Sequence, residues 1–284
     1  MKKGIVYRST GSWYTVESQG VFYECRIKGK LRSKGIKSTN PVAVGDRVHF
    51  EIDSHAQANE GNITQIEERQ NYIVRKSVNL SKQTHIIAAN IDQAILMITL
   101  QSPLTTTGFI DRFLVAAESF RIPTTLLFNK IDQYNDEELE YINALAFMYE
   151  KIGYPCHKIS AQSKENILFL KDEIYEKQVV ISGHSGVGKS TLVNAIDPNL
   201  SIKTGEISKA HQQGKHTTTF AEMHKLSSGG YIIDTPGIRA FGIVDLNKTV
   251  LSHYFPEMRL LMDECKFNNC QHINEPQCAV KKAL

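Results

Sequence analysis

The segment GHSGVGKST at residues 183–191 limits the fold of this chain more than any other part of the sequence. It follows the apolar run KQVVIS and precedes TLVNAI, which is the strand-to-helix setting of a phosphate-binding loop. Glycine lets backbone N–H groups curl around phosphate oxygens, and the helix that follows adds a favourable dipole. The segment therefore predicts an α/β fold that binds a nucleotide, and the flanking strand and helix argue against a chance match.

The side chains of this loop have predicted roles. Lys189 is expected to contact the β- and γ-phosphate oxygens, and Ser190 to ligate Mg²⁺. The whole predicted phosphate-binding set is Gly183, His184, Ser185, Gly186, Val187, Gly188, Lys189, Ser190 and Thr191.

Two later segments carry residues that could sense a γ-phosphate. The apolar strand YIIDTPG ends at Asp234, which would hold Mg²⁺ through water, and the N–H of Gly237 would contact the γ-phosphate. The threonines of GKHTTT supply hydroxyl groups, and we expect Thr218 to complete the Mg²⁺ shell.

The stretch TTLLFNKID at 124–132 predicts a loop that reads a guanine base. Asn129 can bond the N7 and O6 edge, and Asp132 can accept hydrogen bonds from N1–H and the N2 amine. Adenine lacks both of those donors, so Asp132 would exclude ATP. A backbone N–H at the end of YPCHKISA would reach O6, so the predicted base-binding set is Asn129, Lys130, Ile131, Asp132, Ser160 and Ala161.

The order of these segments is unusual, because the base-reading loop precedes the phosphate loop. In a parallel α/β sheet, ligands bind beyond the carboxyl ends of the strands, whatever the order in which the chain visits them. NKID, SA, GHSGVGKS, HTTT and DTPG follow one rotated cyclic order, which predicts a circularly permuted GTPase. A P-loop kinase or ATPase is an alternative, but Asp132 and the lack of a second substrate domain argue against it.

The first part of the chain predicts a small β-barrel of the oligonucleotide-binding type. Five short alternating segments lie between turns, and the exposed aromatic candidates are Trp13, Tyr14, Phe22 and Tyr23. Up to residue 85 there are 14 Lys and Arg residues against 8 Asp and Glu. The basic run at 26–37 is either a solvated loop or a contact to a phosphate backbone.

The last part of the chain predicts one structural zinc site. The four candidate ligands have the spacing C-x4-C-x-H-x5-C and are Cys265, Cys270, His272 and Cys278. Three thiolates and one imidazole suit tetrahedral Zn²⁺ with no open position. We therefore predict three domains: a barrel at 1–72, a permuted GTPase domain with a mostly parallel sheet at 73–246, and a zinc domain at 247–284.

The length and hydropathy of the chain indicate a globular protein. A chain of 284 residues can bury a core in each of two or three domains. Its best apolar run, AILMITL at 94–100, is too short to span a bilayer. We expect a cytoplasmic monomer with no membrane partner.

Together these motifs resemble the RsgA family of ribosome small-subunit-dependent GTPases, and the resemblance covers essentially the whole chain. It implies binding of GTP and GDP with Mg²⁺, a zinc domain, and action on the 30S subunit and its 16S rRNA in late maturation, with hydrolysis stimulated by the subunit. A GTP-gated rRNA-binding module in which hydrolysis is incidental is the alternative.

The residue that orients the attacking water is not the usual one. Many GTPases place Gln directly after DxxG, where this chain has Ile238, which cannot orient water. His216 is the nearest candidate in sequence, and the family resemblance points to the same residue. A solvated loop histidine is the alternative interpretation.

Overall fold

The structure is a computed structural model that describes residues 1–27, 41–53, 59–76, 84–200, 221–234 and 248–283. Four predicted site features lie outside the described residues: His216, Thr218, Gly237 and most of the basic run at 26–37. Their predicted roles stay predictions.

Five strands close into a barrel at the start of the chain. They are β1 (Lys2–Ser9), β2 (Tyr14–Ser18), β3 (Val21–Ile27), β4 (Arg47–Ile52) and β5 (Glu60–Ile66). Their order is β1-β2-β3-β5-β4, and β4 pairs with β1 to close the ring. Only the β3–β5 pairing within this ring is parallel. The predicted barrel is confirmed.

The aromatic candidates of the barrel divide between its inside and its outside. Tyr14 and Tyr23 are buried in the barrel core, whereas Phe22 is 51% exposed and Trp13 is half-buried. The Arg26 guanidinium lies over the Trp13 ring, 3.9 Å from its centre. Successive strand residues face opposite sides, so a pattern of alternation necessarily sends some aromatic residues inward.

The second sheet region is mostly parallel, as predicted. Its strands run in the order β10 (Cys156–Lys158), β9 (Thr124–Phe128), β8 (Gln93–Ile98), β11 (Gln178–Ser182) and β13 (Tyr231–Asp234). A further strand, β12 (Glu222–Lys225), runs antiparallel to β13. It also pairs with β1 of the barrel at Arg8 and Glu222, so one sheet continues through both parts.

Helices cover both faces of the parallel sheet. They are α1 (Thr107–Ser119), α2 (Asp136–Ile152), α3 (Phe169–Glu173) and α4 (Lys189–Ile196). Alternate residues of β8 enter two different cores: Leu96 packs with α1 and α2, and Met97 packs with α3 and α4. This double burial explains why the strands of this sheet are apolar at almost every position.

The segment at 71–90 contains regular structure that the sequence patterns did not predict. It forms a two-stranded antiparallel sheet of β6 (Tyr72–Lys76) and β7 (Thr84–Ala89). Ile73 and Ala88 of this hairpin are fully buried against the main core, together with Val44 from the barrel side. The hairpin therefore packs between the barrel and the parallel sheet.

The C-terminal segment contains little regular structure. Its short helices lie at Pro256–Arg259 and Ala279–Ala283, and Arg259 forms a 3.2 Å ion pair with Glu118 of α1. Among the helices that the structure describes, none has the length and apolar character needed to cross a lipid bilayer.

One buried ion pair fixes the end of the barrel. Arg69 donates to both carboxylate oxygens of Asp46 at 2.7 and 2.6 Å, and to the carbonyl of Pro41. The Asp46 side chain is fully buried, and it also accepts the N–H of Ala43 at 2.8 Å. A buried bidentate pair of this kind is costly to break, because removal of one partner leaves an uncompensated charge.

Replacement of Arg69 by Ala should therefore lower the free energy of unfolding by about 3 to 5 kcal/mol. The exposed pair of Arg259 and Glu118 provides the matched control, and Arg259→Ala should cost less than about 1 kcal/mol. Urea denaturation of both variants measures the difference. Equal effects of the two substitutions would contradict a structural role for the buried pair.

Candidate active site

A single buried side chain joins three loops at the carboxyl ends of the strands. Asn129 follows β9, and its Nδ2 donates to the carbonyl of Val187 in the phosphate loop at 2.8 Å. Its Oδ1 accepts the N–H of Ala161, which lies beyond β10, at 2.9 Å. Asn129 is only 2% exposed. The structure thus brings together NKID, SA and the phosphate loop, as the rotated motif order predicts.

The conformation of the phosphate loop depends on its glycines. Gly183 and Gly188 have φ values of +142° and +106°. A Cβ on Gly183 would lie 2.7 Å from the carbonyl oxygen of Met97, and one on Gly188 would lie 2.5 Å from Asn129 Nδ2. Both positions therefore require glycine, for backbone conformation and for close packing against neighbouring strands.

The charged residue of the loop is held close to its own backbone. Lys189 begins α4, and its Nζ donates to the carbonyls of Gly183 and His184 at 2.8 and 2.9 Å. Burial lowers the pKa of Lys189 to about 8, and the charge of Asp234 at the end of β13 opposes this shift. Ser190 is buried beside Lys189, at the start of the same helix.

Two polar residues of the base-reading loop have different environments. Asp132 is exposed in a short 3₁₀ turn, Ile131–Gln133, so its carboxylate can meet a ligand from solution. Lys130 adopts a left-handed conformation with φ of +69°, and its Nζ donates to the carbonyl of Ser102.

Tyr134 is a supporting residue that sequence reasoning missed. Its hydroxyl donates to the carbonyl of Asn129 at 3.1 Å and accepts the N–H of Leu100 at 3.0 Å. Burial raises the pKa of Tyr134, so the phenol remains a neutral donor. Tyr134 lies two residues after NKID in the sequence, but no motif or spacing rule assigns a role to that position.

The loop beyond β10 is ordered by its own hydrogen bonds. The Ser160 hydroxyl accepts the N–H of Ser163, and the Ser160 N–H donates to the carbonyl of Glu165, both at 3.1 Å. The Ala161 N–H, one of the two backbone donors predicted for guanine O6, donates to Asn129 in this structure. A contact to O6 requires that this N–H be shared with Asn129 or released from it.

A second candidate centre lies in the C-terminal segment. The ligand atoms of Cys265, Cys270, His272 and Cys278 all lie within 4.8 Å of one another. His272 Nδ1 is 3.3 Å from the sulfur of Cys278 and 3.7 Å from that of Cys265. Tetrahedral Zn²⁺ with bonds of about 2.0 to 2.3 Å separates its ligands by about 3.5 Å, so the donor set and spacing fit this ion.

Glu275 orders the loop between two of these ligands and was also missed. Its carboxylate accepts the N–H groups of Gln271, Ile273 and Asn274 at 2.9, 3.0 and 3.1 Å. These backbone donors, that of Gln271 foremost, lower the pKa of Glu275 to about 2. The charged carboxylate thus folds the loop that carries His272, which has a φ of +61°.

Comparison with known proteins gives consistent matches over both main parts of the chain. The sequence profile described as RsgA N-terminal domain matches residues 3–63, and that described as RsgA GTPase matches residues 66–244. A Flavobacterium psychrophilum protein named small ribosomal subunit biogenesis GTPase RsgA is 58% identical over 282 residues, covering 99% of this chain and 86% of the relative. A protein of the same name from Christiangramia forsetii is 57% identical, covering 99% and 90%.

Solved structures agree with these sequence matches. YjeQ from Thermotoga maritima superposes with a TM-score of 0.79 at 34% identity, covering 99% of this chain and 90% of that one. YloQ, described as a circularly permuted GTPase, superposes with a TM-score of 0.74 at 30% identity, covering 100% and 88%. The closed barrel, the permuted order of the site loops and these matches agree, and the chain belongs to the RsgA family of GTPases.

Proposed function

We propose that this protein hydrolyses GTP to GDP and phosphate in the late maturation of the small ribosomal subunit, and that the subunit stimulates the reaction. The single observation that carries the nucleotide part is the Asn129 amide, which holds the base-reading loop against the phosphate loop. The subunit as partner rests on family membership and on the names of the relatives, which are small-subunit biogenesis GTPases.

The guanine base is read by Asn129 and Asp132. One N–H of the Asn129 amide is used on Val187, so the second remains for the base. The exposed Asp132 carboxylate accepts from N1–H and the N2 amine. Lys130, Ile131, Ser160 and Ala161 complete the walls of the base site.

The phosphates bind along residues 183–191. Water attacks the γ-phosphorus, the bond to the β–γ bridging oxygen breaks, and GDP leaves with the electron pair of that bond. Lys189 neutralises charge on the phosphate oxygens in this partly buried site, where electrostatic contacts are strong. Ser190 and Thr218 would hold Mg²⁺, with Asp234 acting through water, and the ion would add further positive charge at the phosphates. The N–H of Gly237 contacts the γ-phosphate.

The barrel contacts the subunit, and the C-terminal domain stabilises the fold. The barrel (1–72) offers exposed Phe22 and the Trp13–Arg26 stack to unpaired bases of 16S rRNA, and the domain at 73–246 binds GTP. The C-terminal domain (247–284) binds one structural Zn²⁺. The protein acts as a monomer in the cytoplasm, where ribosomal subunits are assembled.

Hydrolysis should be slow in the isolated protein, at about 10⁻⁴ to 10⁻² s⁻¹, because Ile238 cannot orient water. Added 30S subunits should raise the single-turnover rate. We assign His216 to the attacking water, so His216→Ala should abolish most of the stimulation and preserve GTP affinity and docking. Lys189→Ala should instead weaken nucleotide binding itself.

Two outcomes of this experiment would count against the proposal. A rate that 30S subunits do not change would favour a GTP-gated rRNA-binding module. Full stimulation of the His216→Ala variant would show that another group orients the water.

Base selection can be tested at Asp132. Asp132→Asn should weaken GTP binding and admit xanthosine triphosphate, because the amide can donate to the xanthine C2 carbonyl that a carboxylate repels. Competition binding of the two nucleotides measures the switch, with Asp136→Asn, at the start of α2, as the control. An unchanged preference for GTP would remove Asp132 from the base site.

Zinc binding can be tested at one cysteine. Cys270→Ser should abolish binding of one equivalent of zinc and unfold the segment from residue 248 onward, because that segment has a small apolar core. GTP binding should persist. Cys156→Ser, outside the cluster, is the control, and metal analysis with limited proteolysis supplies the measurement. Full zinc content in the Cys270→Ser variant would contradict the assignment.

A further inference from the structure

The connection between β8 and α1 contacts the phosphate loop from outside. We name residues 99–106 the β8–α1 loop; Phe109 follows it in the first turn of α1. The ring of His184 in the phosphate loop packs on the ring of Phe109, with centroids 4.1 Å apart and planes inclined by 34°. Nearby, Pro103 lies close to Gly186, since a Cβ on that glycine would be 3.7 Å from Pro103 Cδ.

The same connection also contacts the base-reading loop. The carbonyl of Ser102 accepts from Lys130 Nζ, and the N–H of Leu100 donates to the Tyr134 hydroxyl. The phosphate loop and the base-reading loop therefore both contact the β8–α1 region.

The β8–α1 loop is itself firmly held. Thr99 and Thr105 exchange two hydrogen bonds, with Thr105 N–H donating to the Thr99 carbonyl at 2.8 Å and Thr99 N–H donating to the Thr105 hydroxyl at 3.2 Å. The Thr99 hydroxyl donates to the carbonyl of Pro103. Thr105 and Phe109 are buried, so this region is a fixed surface.

The phosphate loop needs such a support. Gly183, Gly186 and Gly188 all have positive φ, and glycine loses more conformational freedom on ordering than any other residue. On the inner side, Val187 is buried in the core and its carbonyl is held by Asn129. On the side facing α1, the ring of His184 contacts the ring of Phe109.

We propose that His184 is a positioning residue whose ring, stacked on Phe109, keeps the phosphate loop in the conformation that retains GTP and GDP. This inference rests on the proposed function, because it concerns the same nucleotide site. A stacked pair requires a flat ring at position 184 and no imidazole chemistry. His184 thus acts through backbone N–H groups of the loop and not on the γ-phosphate.

The test is the dissociation rate of a fluorescent GDP analogue from the full-length protein. His184→Ala should raise this rate by about 3- to 10-fold, the range expected for loss of an aromatic pair. His184→Phe should restore retention. Phe109→Leu removes the ring and keeps an apolar side chain in the core, and it should match His184→Ala.

The double variant His184→Ala with Phe109→Leu distinguishes a pair from two separate effects. Because both changes remove one contact, the double variant should dissociate GDP no faster than either single variant. GMP, which lacks the β-phosphate, should lose less affinity than GDP. Phe147→Ala removes an exposed ring on α2 and should leave retention at the wild-type rate.

Three results would overturn the inference: a His184→Phe variant as defective as His184→Ala, additive effects in the double variant, or a His184→Ala variant that retains GDP normally. Each leaves the proposed function intact, provided that the wild-type protein binds GDP. A wild-type protein without affinity for GDP would overturn both.

Discussion

The Asn129 amide is the contact on which the arrangement of this nucleotide site depends. It links the loops that follow β9, β10 and β11, three strands whose carboxyl ends meet at one edge of the sheet. A buried amide with both its oxygen and its nitrogen bonded rigidifies its surroundings, because each unmade bond would carry a desolvation cost. The loops are fixed in space by this link and not by their order along the chain. The permutation is therefore compatible with a complete site.

The same region contains the charged side chain of Lys189, close to backbone carbonyls and to a carboxylate. Lys189 is partly buried, and burial lowers its pKa to about 8. Hydrogen bonds to two loop carbonyls and the charge of Asp234 favour its charged form. A phosphate group is a stronger partner than a carbonyl, and its arrival favours the protonated amine. In the proposed function, part of the binding energy for a phosphate would therefore come from satisfying a charge that the fold has already placed in a poorly solvated position.

The sequence predicted the elements with strong local signals. The apolar strands were recognisable because both faces of the parallel sheet are buried, and the site motifs because glycine, lysine and aspartate occur at fixed spacings. The Cys265 to Cys278 cluster was found for the same reason. The hairpin β6–β7 was missed, since its role between barrel and sheet depends on contacts distant in sequence.

Supporting residues were missed for a related reason. Tyr134, Glu275 and Phe109 act through a hydroxyl, a carboxylate and a ring that reach neighbouring loops, and no repeat or motif marks them. Strand alternation predicts that some barrel aromatics are buried and others exposed. Which of them are buried depends on the register of the strands, and here Tyr14 and Tyr23 are buried and Phe22 is exposed.

Strand β12 connects the barrel to the nucleotide domain. This strand pairs with β13, which ends at Asp234, a predicted residue of the nucleotide site, and with β1 of the barrel through Arg8 and Glu222. Tyr7 of β1 adds an edge-to-face contact with Tyr231 of β13 and another with Phe22 on the outside of the barrel. Paired backbone and stacked rings therefore link the strand that carries Asp234 to Phe22 on the barrel surface. Because close-packed interiors transmit strain, the barrel surface at Phe22 is mechanically continuous with the strand that carries Asp234.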